Sequence, residues 1–207
     1  MAPIPLLLIV SAPSGAGKTT LCDRLLRVNP GMVYSVSCTT RPPREGERDG
    51  VDYTFLSDDE FQRRIQEEAF LEHARVHGYE YGTLRDPVLA SLKAGFDVVM
   101  DIDVQGAAQI RESLGRLPDG DPMRIAYVDL FISPPSLEEL KRRLISRGKD
   151  TSEVVERRLR QAREEMARCG EYQYGLVNED LEEAAKVLEA IVIAERHRIS
   201  RFKRRTA

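Results

Sequence analysis

No apolar run in this 207-residue chain is long enough to span a membrane, and Met1 to Val10 has neither the cationic start nor the small-residue cleavage site of a secretory leader. A soluble intracellular chain, cytoplasmic and without a membrane partner, is expected. Cysteine is scarce. Cys22, Cys38 and Cys169 are odd in number, widely spaced and lack a C-x-x-C, so neither a disulfide framework nor a zinc site is expected and all three read as free thiols. His73 and His77 stand four apart, but no acid lies between them and Gly78 would end a helix there, which argues against a metal pair. An excess of one charge is also missing: 31 Lys and Arg against 34 Asp and Glu leave a net charge of -3, which argues against nucleic acid as the main partner. Internal repeats and low-complexity segments are absent, and 42% hydrophobic content suits one substantial core with sub-elements better than two full domains. The pattern sets no oligomeric state.

What is present centres on Ile9-Val10-Ser11-Ala12-Pro13-Ser14-Gly15-Ala16-Gly17-Lys18-Thr19-Thr20. This stretch follows the apolar run Leu6 to Val10 and precedes Leu21, Leu25 and Leu26, so it reads as strand, glycine-rich turn and helix. That context makes Ala12, Pro13, Ser14, Gly15, Ala16, Gly17, Lys18, Thr19 and Thr20 a phosphate-binding loop. Small residues let backbone N–H groups converge on phosphate oxygens, and the helix N-terminus adds partial positive charge. Lys18 would reach the β and γ phosphates of a nucleoside triphosphate, and the Thr19 hydroxyl would ligate Mg²⁺. The pattern G-x-x-x-x-G-K-[ST] has Gly where this chain has Ala12, which is tolerable only if Ala12 keeps a negative φ.

Beyond that helix, Asn29-Pro30-Gly31 makes a break and Val33 to Ser37 alternates as a strand. Arg41 and Arg44 then flank Pro42 and Pro43 on a stiff extended loop, where rigid guanidinium forks suit a dianionic phosphate monoester. Tyr53 to Leu56 reads as a short strand, Ser57 with Glu60 as a capping box, and Asp86 to Lys93 as a helix stopped by Gly95. Residues 33–90 therefore form a small insertion between the first two strands of the main sheet. Asp97 to Asp103 is a buried strand ending in the carboxylates Asp101 and Asp103, at the carboxyl end where open α/β sheets bind ligands. Leu117 to Pro122 is a polar turn, Ile125 to Ile132 a core strand, and Ser136 with Glu139 the start of a capped helix. Arginines from Arg142 to Arg163, interrupted at Gly148, read as two hinged helices that close over phosphates. Tyr174 to Asn178 gives a last strand, Asp180 with Glu183 opens a final helix, and the basic run Arg196 to Arg205 reads as a solvated helix face.

A phosphate loop with a Mg²⁺ ligand implies a triphosphate donor, and no N-K-x-D motif of the signalling GTPase kind is present. An acceptor that already carries a phosphate is ionised near neutrality and needs no general base, so positioning and charge neutralisation by Lys18, Mg²⁺ and arginines would suffice. Guanine presents two donors, N1–H and the 2-amino group. These match an ionised carboxylate such as Glu72 or Asp103, while O6 suits the Ser37 or Thr83 hydroxyl; adenine N1, an acceptor, would be repelled.

In order and spacing, Ser11 to Thr20, Ser37 to Arg44, Phe70 to Ala74, Gly78 to Thr83, Asp101-Ile102-Asp103-Val104-Gln105-Gly106, Pro134-Pro135-Ser136, Arg147-Gly148 and Val177-Asn178 resemble guanylate kinase over nearly the whole chain. The resemblance implies an α/β, P-loop NTPase-type parallel sheet core flanked by helices (1–32, 91–135 and 169–207), a small α+β GMP-binding insertion (33–90) and a helical lid (136–168). It implies phosphoryl transfer from ATP to GMP, and to dGMP beside it, giving ADP and GDP. By that similarity Arg41, Arg44, Tyr53 and Tyr81 hold the GMP phosphate, Ser37, Glu72, Thr83 and Asp103 read guanine, and Asp101 sits near the metal or its waters. Arg143, Arg147 and Arg158 would be the lid and transfer arginines. The Ala12 departure resembles that of bacterial members, and Cys38 stands where other members carry Ser or His. Two rival readings stay open: a phosphopeptide-binding module of the scaffold kind, and a kinase for a phosphorylated sugar.

Overall fold

The computed structural model describes residues 3–76, 78–146 and 151–202. The chain runs β1 (Leu7–Ser11), α1 (Lys18–Val28), β2 (Met32–Tyr34), β3 (Cys38–Thr39), β4 (Thr54–Phe55), α2 (Asp58–Gln66), β5 (Phe70–Val76), β6 (Tyr79–Leu84), α3 (Arg85–Lys93), β7 (Asp97–Asp101), α4 (Val104–Gly115), α5 (Pro122–Ala126), β8 (Tyr127–Ser133), α6 (Leu137–Ser146), α7 (Ser152–Ala167), β9 (Tyr174–Val177) and α8 (Leu181–Arg196).

The main sheet is parallel, in the order β2-β7-β1-β8-β9. Its central strand is apolar on both faces because both are covered. Leu6, Leu8 and Val10 pack with Leu21, Leu25, Leu188 and Val192 of α1 and α8, whereas Leu7 and Ile9 pack with Val88, Ala107 and Ile110 of α3 and α4. The two-residue period of a strand thus feeds two cores from one run of sequence.

A second sheet, β4-β3-β6-β5, is held by β5–β6 antiparallel pairing and by Phe61 of α2 stacked on Phe70, ring centroids 4.5 Å apart. Half of the expected capping box forms: the Glu60 N–H donates to Ser57 Oγ at 3.2 Å, while the Glu60 carboxylate turns to Arg63 and Arg64 instead of the Ser57 N–H. His73 lies on β5 rather than on a helix, and His77 lies outside the described residues.

Three expectations are corrected. Met32–Tyr34 pairs with β7, so the strand expected to open the insertion is the edge of the main sheet, and the second sheet begins at Cys38. Ile125 and Ala126 end a one-turn helix instead of opening the strand, because Asp121 caps that turn through the Met123 N–H and Pro122 fits its first position. The basic C-terminal run is not merely a solvated face. Arg196 donates to Asp97 Oδ2 and Asn29 Oδ1, both at 2.7 Å, tying α8 to the start of β7 and the end of α1, and buried Arg201 donates to Glu195 at 2.9 Å.

Candidate active site

The phosphate loop leaves β1 at its carboxyl end and hands the chain to α1. Gly15 (φ +96°) and Gly17 (φ +94°) adopt the left-handed conformation that glycine alone enters without strain. Ala12 keeps a negative φ, the condition its lack of glycine imposed. Beneath the loop, a Cβ on Gly17 would lie 2.3 Å from Asn178 Nδ2, and one on Gly15 would lie 3.1 Å from Leu140 and Leu144 of α6. At Gly15 and Gly17 the loop is therefore pressed onto α6 and onto Asn178, with little space for a side chain at either position.

Lys18, at the first position of α1, forms an ion pair with Asp101 and donates to the Ile102 carbonyl at 3.1 Å. Burial opposes its charge, but the Asp101 carboxylate outweighs that effect and holds the ammonium above the ordinary lysine range. Thr19 is exposed on the same wall.

Two cavities meet there. One, about 610 Å³, is lined by Ser37, Glu47 and Glu72; the other, about 560 Å³, by Ser14, Gly15, Thr20 and, from α7, Arg158 and Glu165. Lys18, Thr19, Tyr53, Tyr81, Asp101 and Asp103 border both. In the first, Glu72 is 5% exposed and accepts from Thr83 Oγ1 at 2.7 Å, with Ser37 Oγ 3.4 Å from that hydroxyl. Burial pushes its carboxyl up to about 7, helped by repulsion from Asp103 and opposed by the Thr83 hydrogen bond. Asp103 caps α4, accepting from the N–H groups of Gln105 and Gly106 at 3.0 and 2.8 Å.

The arginine loop differs in detail from its sequence reading. Arg41 is 8% exposed, and its guanidinium donates to Tyr81 Oη at 3.3 Å, to the Pro42 carbonyl at 2.7 Å and to both Glu47 oxygens at 2.8 and 3.0 Å, with Tyr53 5.4 Å below it. Arg44 gives Glu47 its backbone N–H at 2.8 Å, and its side chain is exposed. Arg143 is spent below the phosphate loop, donating to Glu139 at 2.8 Å and to the Asn178 carbonyl at 3.0 Å. Arg158 does face the second cavity, and Arg147 lies outside the described residues.

Sequence reasoning passed over Glu47 and Glu165, and it named Asn178 only as the end of the last strand and part of a resembling stretch, with no role. Glu47 follows the turn at Gly46 (φ +87°), which brings it back onto Arg41. Asn178 is a polar residue at the carboxyl end of a parallel strand, the position that singled out Asp101 and Asp103. Glu165 stands two helical turns after Arg158 and so shares its face. Burial pushes its carboxyl up to about 7, against the attraction of Lys18.

A donor's γ-phosphorus and an acceptor's oxygen must approach in line, and two cavities abutting at one lysine provide for that approach. The class is thus a P-loop phosphotransferase acting on a small acceptor. The family model described as "Guanylate kinase" matches residues 5–195. The guanylate kinase of Alkalilimnicola ehrlichii is 49% identical over 195 residues, 94% of this chain and 91% of that protein. That of Clostridium perfringens is 45% identical over 197 residues, 95% of this chain and 87% of the relative. The crystal structure of guanylate kinase from Anaplasma phagocytophilum superposes with a TM-score of 0.75 at 35% identity, covering 96% of this chain and 90% of that one. The chain belongs to the guanylate kinase family.

Proposed function

We infer that transfer of the γ-phosphoryl group of ATP to GMP, giving ADP and GDP, takes place here between the two cavities, with GMP in the one floored by Glu72 and ATP in the one bounded by the phosphate loop. The observation that carries this division is the buried Glu72 carboxylate, held by Thr83 in a cavity that opens onto Lys18. Glu72 and Asp103 accept from guanine N1–H and the 2-amino group, and the Ser37 and Thr83 hydroxyls complete the polar wall. Arg41, Tyr53 and Tyr81 form the phosphate end, with Arg44 swinging in from its exposed position. Lys18 stabilises charge on the transferring group, and Arg158 closes in from α7. The unit from Cys38 to Leu84 is the acceptor-binding insertion, and α6 with α7 the lid.

Thr19 and Asp101 offer hard oxygen donors on the shared wall, and no group of three metal-ligating side chains exists among the described residues. That donor set fits Mg²⁺, which takes one or two protein oxygens and completes its shell with phosphate and water. When bound, it neutralises charge between the β and γ phosphates. Asp101, already paired with the Lys18 ammonium, would then hold the metal as well.

The test is ADP release at fixed Mg-ATP with GMP, AMP, CMP and UMP in turn. Turnover strongly favouring GMP is expected; equal use of AMP would overturn the assignment of Glu72.

A further inference from the structure

Glu72 lies on β5 of the second sheet and Asp103 caps α4 beyond the end of β7, yet both rest on one backbone position. The Gly106 N–H donates to Asp103 Oδ1 at 2.8 Å. On its other side, a Cβ at Gly106 would lie 2.5 Å from Glu72 Oε2 and 3.1 Å from Glu72 Cδ, well inside van der Waals contact. Glu72 has little freedom to give way, because it is buried and its other oxygen is held by Thr83 at 2.7 Å.

Local conformation does not explain a glycine here. Gly106 lies in the first turn of α4, buried, and is not among the glycines with positive φ. Alanine would be the better helix former at such a site. The space a Cβ would take is the space the Glu72 carboxylate uses. We propose that Gly106 is a positioning residue for acceptor specificity: its missing side chain seats Glu72 against α4 while its N–H fixes Asp103, so that the two carboxylates meet the N1–H and 2-amino edge of a purine together.

This inference rests on the assignment of Glu72 and Asp103 to guanine. Steady-state kinetics with GMP, with IMP, which lacks the 2-amino group, and with ATP separate the two claims. Gly106→Ala is expected to lower kcat/KM for GMP at least about tenfold, mainly through KM, and to narrow the preference for GMP over IMP. The KM for ATP should stay within about twofold. In a Glu72→Asp background, where the shorter side chain leaves room for a methyl group, the same substitution should cost less than about threefold.

A Gly106→Ala enzyme with unchanged GMP kinetics would overturn the proposal. So would an equal loss toward ATP, or an equal cost in the Glu72→Asp background. Should the single variant fail to fold, the comparison of Glu72→Asp with the double variant still decides. If instead Glu72→Gln leaves GMP use intact, the guanine assignment itself falls; if Glu72→Gln impairs GMP use and Gly106→Ala does not, only the role of Gly106 is lost.

Discussion

The side-chain amide of Asn178 donates to the Ala16 carbonyl at 2.7 Å, joining the end of the last strand to the phosphate loop across 162 residues of sequence. The Asn178 carbonyl in turn accepts from Arg143 at 3.0 Å, so α6, β9 and the loop share one polar joint. The loop's curvature is thereby fixed from below before any phosphate arrives.

Asn178→Ala leaves the Ala16 carbonyl buried without that partner, at a cost of about 1–3 kcal/mol. In a domain of this size that corresponds to a fall in melting temperature of several degrees. Because the loop holds the donor, the KM for ATP should rise by about tenfold with the KM for GMP little changed. Steady-state kinetics and a thermal melt check both, and a rise confined to the GMP KM would contradict the joint's assignment to the donor side.

Lys18→Met removes the cation that faces both cavities and unpairs Asp101. Loss of one preorganised charge at a transferring phosphoryl group is expected to lower kcat by at least about a hundredfold. Calorimetric GMP binding should survive, since the guanine contacts assigned to Glu72 and Thr83 do not involve this residue. A variant retaining a tenth of wild-type kcat would remove Lys18 from the chemistry.

Glu47 holds Arg41 with two carboxylate oxygens and Arg44 by its backbone N–H. Arginine forks bind phosphate well only when their orientation is set in advance. Glu47→Ala would release that loop and leave a nearly buried guanidinium without its carboxylate, so the KM for GMP should rise about tenfold or more while the KM for ATP holds. Glu47→Asp, one methylene shorter, should fall between. An unchanged GMP KM in the alanine variant would show that the loop keeps its shape without the carboxylate.

What could be read in the sequence was local. The phosphate loop was legible because Gly15 and Gly17 need positive φ at fixed spacing, and the caps at Ser57, Ser136 and Asp180 because each acts within one helical turn. The joint at Asn178 and the seat of Glu72 on Gly106 were not, since each depends on elements brought together only by the fold. Arg41 and Arg44 stood out together in the sequence, but composition could not tell that Glu47 turns back on the Arg41 guanidinium and the Arg44 backbone N–H. The expected strand at Val33 to Ser37 went astray for a related reason: alternation marks a strand but not the sheet it joins, and Tyr34 ends one sheet only four residues before Cys38 begins another.

Burial raises the Glu72 carboxyl from an ordinary value near 4.5 to about 7, so the folded chain keeps a proton there that the unfolded chain has lost. The group's contribution to stability is therefore complete below about pH 4.5 and declines as pH rises to about 7. In the ligand-free protein, Glu72→Gln should remove that decline and raise the melting temperature near pH 8 relative to wild type. Guanine reverses the preference, since its N1–H and 2-amino donors need the ionised carboxylate. With the group titrating at about 7, the ionised fraction grows about tenfold between pH 6 and pH 8, and GMP affinity should grow with it. The second ionisation of the GMP phosphate, near 6, adds about twofold over the same range and should be all that remains in Glu72→Gln. Calorimetric titrations of GMP in buffers of different ionisation enthalpy would count the release of about half a proton by the wild-type enzyme at pH 7, where Glu72 is half protonated. An identical count in Glu72→Gln would mean that another group titrates and that Glu72 is already charged in the empty site.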